Sequence, residues 1–213
     1  MSKEKLYIFD TTLRDGAQTQ GVDFSIDDKI KIAEELDKLG VDYIEGGWPG
    51  ANPTDTEFFQ RNIKYNNSKL TAFGMTKRSG RSAENDPGLS ALLNSKAPAI
   101  CLVGKTWDFQ VNKALNITEK ENLNIIKKNI QVAKNYFDEV LFDAEHFFDG
   151  FKSKKQYALE CIKCANASGA RWVVLCDTNG GTLPYEIEEL KVFIKSLIQQ
   201  NPELNQCLIY LKP

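Results

Sequence analysis

Histidine is almost missing from this chain: His146 stands alone among 213 residues. No metal site built on two or more histidines can be assembled from these residues. An excess of one charge is missing too. Lys and Arg total 27 against 29 Asp and Glu, a net charge of −2, so nothing marks a nucleic-acid or anionic membrane surface. Long apolar runs are lacking. Stretches such as Trp172–Cys176 fall far short of the ~18 residues of a membrane helix. The start, Met-Ser-Lys-Glu-Lys, runs straight into a strand-like segment and carries no secretory signal. Cysteines number five, an odd count that reads as reduced thiols of a cytoplasmic protein. Cys161 and Cys164 form a C-x-x-C, but at i and i+3 within a helical segment they read as core-facing rather than as a zinc or redox pair. No G-x-G-x-x-G or P-loop follows any strand-like run.

What is present is a rhythm. With 42% hydrophobic and 26% charged residues, the chain has the balance of a globular domain able to bury a sizeable core. Short β-rich runs occur at Leu6–Phe9, Tyr43–Glu45, Leu70–Phe73, Ala99–Val103, Val140–Phe142, Trp172–Cys176 and Cys207–Tyr210, their starts 27 to 41 residues apart. Segments with helical periodicity lie between them. Ser25 with Asp28 opens a helix carrying Ile30, Ala33, Leu36 and Leu39, and Gly40 closes it. Thr54 with Glu57, Thr118 with Glu121 and Ser153 with Gln156 head later helices, a weaker helix follows Pro87, and Pro184 starts the last. The expectation is parallel βα units: about seven strands and six intervening helices, an incomplete (β/α)8 TIM barrel that stops one or two units short of closure. The alternative, an open doubly wound sheet, lacks its phosphate fingerprint. Polar residues gather after the strands, where barrel active sites are built: Asp10 to Asp15, Glu45, Lys77 and Arg78, Glu145 and His146, Asp177 to Asn179. The segment from Gly74 to Gly88, rich in Gly, Ser, Arg and Asn, reads as a mobile rim loop or a plain exposed connection.

The densest constellation is Phe9-Asp10-Thr11-Thr12-Leu13-Arg14-Asp15-Gly16-Ala17-Gln18. A carboxylate beside an arginine on such a loop offers a hard oxygen for a divalent cation and a guanidinium for a carboxylate or enolate oxygen. Asp10-Thr11-Thr12-Leu13-Arg14-Asp15-Gly16 resembles the signature of the metal-dependent barrel lyases and acyl-CoA Claisen synthases. That family includes 2-isopropylmalate, homocitrate and citramalate synthases and hydroxymethylglutaryl-CoA lyase. Three further segments resemble it: Ile44-Glu45-Gly46-Gly47-Trp48-Pro49-Gly50-Ala51-Asn52-Pro53, Phe142-Asp143-Ala144-Glu145-His146-Phe147-Phe148-Asp149-Gly150, and Cys176-Asp177-Thr178-Asn179-Gly180-Gly181. The likeness runs from about Leu6 to Leu204 and is nearest to the citramalate-synthase-type branch.

The resemblance implies an acyltransferase that condenses acetyl-CoA with a 2-oxo acid, pyruvate to citramalate favoured, in isoleucine or leucine biosynthesis. Asp15 would be a carboxylate ligand of a divalent metal (Mg, Mn or Zn). Arg14 would polarise the keto oxygen and stabilise the developing oxyanion. Thr178 would hold the 2-oxo acid carboxylate, and Glu145 would border the substrate as a second catalytic group. His146 is read as substrate-lining or as the base of enolisation, and Lys105 and Trp107 as residues facing CoA or substrate. The turn around Gly46 and Gly50 either admits a ligand to the backbone or is a plain tight turn. The family's seventh strand leads into a His-x-His-Asn-Asp motif that completes the metal site. Here Tyr210-Leu211-Lys212-Pro213 stands in its place. The expectation is an N-terminal part of a barrel catalytic domain over residues 1–213, without the eighth βα unit or a C-terminal regulatory domain, with weak or no metal binding and impaired turnover. The full-length enzyme would be a homo-oligomer acting on small molecules. Rival readings are a 2-isopropylmalate or homocitrate synthase, a lyase of the hydroxymethylglutaryl-CoA type, and a non-catalytic barrel fragment acting as an interaction protein.

Overall fold

The computed structural model describes residues 5–82, 85–200 and 208–212. Strand and helix alternate except for two successive helices between β4 and β5: β1 Phe9–Asp10, α1 Ile26–Leu39, β2 Tyr43–Gly47, α2 Pro53–Gln60, β3 Lys69–Met75, α3 Pro87–Leu93, β4 Ala99–Lys105, α4 Asp108–Lys113, α5 Glu119–Ala133, β5 Glu139–Glu145, α6 Phe147–Ala167, β6 Trp172–Cys176, α7 Pro184–Gln200 and β7 Leu208–Lys212. The fold is an incomplete (β/α)8 barrel, as the rhythm of apolar runs implies. The chain divides into two compact units, Met1–Gly74 with Glu84–Cys101, and Met75–Ala83 with Leu102–Pro213.

In the first unit β1 pairs in parallel with β2, Phe9 opposite Tyr43, and β2 pairs in parallel with β3. The β2–β3 register shifts between Glu45 and Gly47. Two glycines allow this. A Cβ on Gly46 would meet Leu70 and Phe58 at 2.8 Å, and one on Gly47, whose φ is +139°, would strike the Asp55 carboxylate. Side chains of α2 and Leu70 of β3 pack against these two glycines where a Cβ would stand.

Helix α1 begins with a reciprocal capping box between Ser25 and Asp28 and ends on left-handed Gly40, as its sequence predicts. Its inward face differs from the predicted one. The buried residues are Lys29, Ala33 and Asp37, while Leu39 is 77% exposed. Two charges occupy the core-facing stripe because each is fully partnered. Asp37 accepts from the backbone N–H groups of Asn66 (3.1 Å), Asn67 (2.7 Å) and Ser68 (2.8 Å). Burial alone would raise its carboxyl pKa; these donors outweigh it and hold the group below its usual range. Helix α2 is capped by Asn52, which accepts from Asp55 N–H, two residues ahead of the predicted Thr54. Strand β1 is shorter than the run Leu6–Phe9 suggests, with Ile8 using its N–H on the Asp42 carboxylate.

In the second unit β5, β6 and β7 lie side by side in parallel, Leu141 opposite Trp172 and Trp172 opposite Leu208. Cys207, the predicted start of the last strand, lies outside the described residues. Thr118 caps α5 through Glu121 N–H and Pro184 opens α7, both as predicted. Helix α4 was not foreseen. It has six residues, no side-chain cap and one buried side chain, Val111, too little to impose a period. Helix α6 starts at Phe147, and the predicted Ser153–Gln156 head coincides with a break at Lys154 (φ −141°, ψ 73°) inside it. Cys161 is buried and Cys164 half-buried, and the four described cysteines are free thiols. Among the described residues no helix is long and apolar enough to cross a membrane.

Candidate active site

The loop after β1 closes on itself. Thr12 donates its N–H to Asp10 Oδ1 (2.9 Å) and its hydroxyl to Oδ2 (3.2 Å), while Arg14 and Gly16 N–H both bond the Thr11 carbonyl. This buries Leu13 completely and sends Arg14 inward. The Arg14 Nε donates to Glu45 Oε2 at the end of β2 (2.6 Å), and its terminal nitrogens form a fork on the Asp15 carboxylate at 2.6 and 2.7 Å. The guanidinium also lies 3.7 Å from the ring centroid of Phe73 in β3. Burial opposes the charge on Arg14, but Glu45 first and Asp15 next more than offset it, so its pKa is raised. Three of its five N–H donors are engaged and two remain. Arg14 is a fixed cation with spare donors, the form needed for an oxygen that gains negative charge.

A buried lysine holds this loop in place. Lys29 is 3% exposed, and its ammonium donates to the carbonyls of Leu13 and Gly46, each at 2.9 Å, and to Asp55. Asp55 in turn accepts from Trp48 N–H (2.8 Å) and from the Asn52 amide (2.9 Å). One side chain from α1 thereby ties the residue before Arg14 to the end of β2 and the start of α2.

The second unit gathers another group at its strand ends. Lys105, at the end of β4, forms an ion pair with Glu145 at the end of β5. Thr106 bonds the Glu145 carbonyl through its N–H (3.2 Å) and its hydroxyl (2.7 Å). His146 takes left-handed backbone angles (φ 56°, ψ 35°), a strained state for a non-glycine residue. Its N–H donates to the Thr178 hydroxyl (2.9 Å), its Nδ1 lies 3.1 Å from Asp149 Oδ2, and its ring packs on Trp107. Asp149 also accepts from the Asn179 amide (3.0 Å). Helix α6 can approach this closely because Gly150 has no Cβ; one there would sit 2.4 Å from the Thr106 carbonyl. Asp177 is turned to its own loop, accepting from Thr182 N–H and hydroxyl.

The first unit therefore brings Arg14 together with Asp15, and the second brings Glu145, His146 and Thr178 together. Fitness for a divalent ion can be tested on the donors. Asp10 closes its own turn, and both oxygens of Asp15 face Arg14. Within the first unit, Glu45 and Cys101 place a carboxylate and a thiol within 4.8 Å of each other. Taken by themselves, a carboxylate already bonded to Arg14 and one thiol fall short of the multi-oxygen shell such an ion requires. Sequence reasoning missed Lys29 and Phe73 as supports of Arg14. An apolar ring one strand away and a lysine on an amphipathic helix carry no local signal.

These features define a βα-barrel protein whose strand ends carry an arginine held between two carboxylates. The chain belongs to the HMGL-like family, whose model matches residues 5–209. It is 55% identical over 194 residues to (R)-citramalate synthase of Aquifex aeolicus (strain VF5), covering 90% of this chain and 37% of that protein. It is 46% identical over 192 residues to (R)-citramalate synthase of Geobacter sulfurreducens, covering 89% of this chain and 36% of that one. Citramalate synthases match at 42–55% identity and 2-isopropylmalate synthases at 29–34%. The chain spans little more than a third of the length of these relatives. In structure it resembles hydroxymethylglutaryl-CoA lyase from Pseudomonas aeruginosa, with a TM-score of 0.71, 18% identity, and 96% of this chain and 67% of the other covered.

Proposed function

We propose that this chain forms the first βα units of a Claisen-type acyltransferase domain that joins acetyl-CoA to a 2-oxo acid, pyruvate to citramalate foremost. The observation that carries this reading is Arg14, a buried-edge guanidinium held by Glu45, Asp15 and the Phe73 ring with two N–H donors to spare. A base takes a proton from the acetyl methyl group, the enolate carbon attacks the ketone carbon, and the ketone π electrons move to oxygen, which then takes up a proton. Arg14 stabilises that oxygen, where charge appears only as the C–C bond forms. Hydrolysis of the thioester then releases CoA. Thr178 uses an oxygen lone pair for His146 N–H, which leaves its own O–H to donate to the substrate carboxylate. Glu145, paired with Lys105, borders the substrate, and His146, oriented by Asp149, lines it. The closer identity to citramalate synthases favours pyruvate over a branched 2-oxo acid. The same reading carries a divalent-ion requirement with Asp15 as one ligand, a cytoplasmic location and a homo-oligomeric full-length enzyme. With a single histidine in the chain, binding of the 2-oxo acid is expected to outlast turnover.

Saturation-transfer NMR of the 213-residue chain with pyruvate, 2-oxoisovalerate and 2-oxoglutarate tests the reading. Pyruvate should bind best, and Arg14→Gln should abolish its signal while the chain stays folded. Equal binding by Arg14→Gln, or no binding of any 2-oxo acid, would overturn it. A preference for 2-oxoisovalerate would move it to the 2-isopropylmalate reaction.

A further inference from the structure

Three cations fall within five residues at Lys77-Arg78-Ser79-Gly80-Arg81, just beyond the C-terminal end of β3. Lys105 and Glu145 likewise stand at the C-terminal ends of their own strands. The segment is not a loose connection. Thr76 N–H bonds the Val103 carbonyl (3.0 Å), and Lys77 N–H bonds the side chain of Asn129 (2.9 Å). Asn129 is wholly buried on α5 and is itself fixed by a 2.7 Å bond to the Ile125 carbonyl. The Ser79 hydroxyl donates to Glu121, and the Lys77 ammonium closes the turn on the Arg81 carbonyl at 2.5 Å. Gly80 supplies the left-handed step, φ +77°.

The charges of this turn differ from those of the other lysine cluster nearby. On α6, Lys152 is paired with Glu186, Lys154 with Glu119, and Lys155 lies over the rings of Phe151 and Phe193. Among the described residues, neither Lys77 nor Arg81 is paired with a carboxylate, and Arg81 is exposed. Two cations on an ordered turn, with no carboxylate partner among the described residues, offer donors for an anion. Resting on the acyl-CoA reading above, we propose that Lys77 and Arg81 hold the phosphates of the nucleotide end of CoA, its 3′-phosphate and diphosphate. That end carries ~4 negative charges near pH 7, and a turn already ordered before binding loses little further freedom on taking it up.

Isothermal titration of the intact chain with CoA, dephospho-CoA, pantetheine and adenosine 3′,5′-bisphosphate separates this site from the reading it rests on. The variant carries Lys77→Gln and Arg81→Gln, both away from the core, and its melting curve confirms folding. Wild type should bind CoA about tenfold more tightly than dephospho-CoA, and the variant should lose about tenfold in CoA affinity and no longer distinguish the two. Equal CoA binding by variant and wild type would overturn the site and leave the acyl-CoA reading standing. Binding of the bisphosphate that the variant loses, with CoA held no more tightly than the bisphosphate and pantetheine not bound, would support the turn as a phosphate site and sink the thioester reading. Binding of neither CoA nor the bisphosphate would overturn the turn.

Discussion

At the scale of single residues, burial decides which groups are free to react. Cys161 shows this from the negative side. It lies in the core of α6 beside Tyr157, and desolvation pushes its thiol up to about 12 against the modest opposing bond from Tyr157. An ordinary thiol ionises near ~8.5. The folded state thus holds the proton through a pH range in which the unfolded chain releases it. The associated stability is fully present below about 8.5 and is lost as pH rises toward the folded value. Iodoacetamide at pH 8 should leave Cys161 unlabelled in the native protein and label it in urea, as read by peptide mass spectrometry. Native labelling of Cys161 at the rate of the unfolded chain would refute its assignment as a core thiol. The C-x-x-C spacing was legible as core-facing in the sequence because i, i+3 positions share a helix face.

At the scale of elements, the sequence announced starts and ends better than it announced faces. Ser25, Gly40, Thr118 and Pro184 mark boundaries because their chemistry is local: a hydroxyl reaching an N–H three residues on, a left-handed glycine, a ring that suits a first turn. The inward stripe of α1 was legible at Ala33 but not at Lys29 and Asp37, because a buried charge depends on partners far along the chain. Those of Lys29 lie at Leu13, Gly46 and Asp55. Lys29→Met should therefore cost about 3–5 kcal/mol, leaving Asp55 as an unpaired buried carboxylate. Adding Asp55→Asn should recover part of the loss. Urea unfolding of both single variants and the double variant gives the coupling. Strict additivity would mean that the ion pair is not a unit and that Lys29 acts only through the two carbonyls.

At the scale of the whole chain, the parallel βα order was legible from seven apolar runs, of which Ala99–Val103 and Trp172–Cys176 are buried along their whole length and so read as unbroken apolar patches. The candidate site was legible in position, after those strands, but its state was not. Asp15 looks like an ion ligand in the sequence, yet it meets Arg14 through both oxygens, while Asp10 closes its own turn. The lone histidine is bonded to Asp149. A divalent ion placed beside Asp15 would have to displace the Arg14 fork and complete its shell largely with water, which gives it little advantage over bulk solvent. When ligand concentration does not exceed Kd, stabilisation stays below about 0.4 kcal/mol, or less than about 2 °C for a chain of this size. Mn²⁺ at about 1 mM, added with or without pyruvate, should thus move the melting midpoint by no more than that. A further shift of several degrees on adding Mn²⁺ to the pyruvate-bound chain would show that Asp15 recruits additional ligands, and the Arg14–Asp15 fork would then be a resting arrangement that opens when the ion binds.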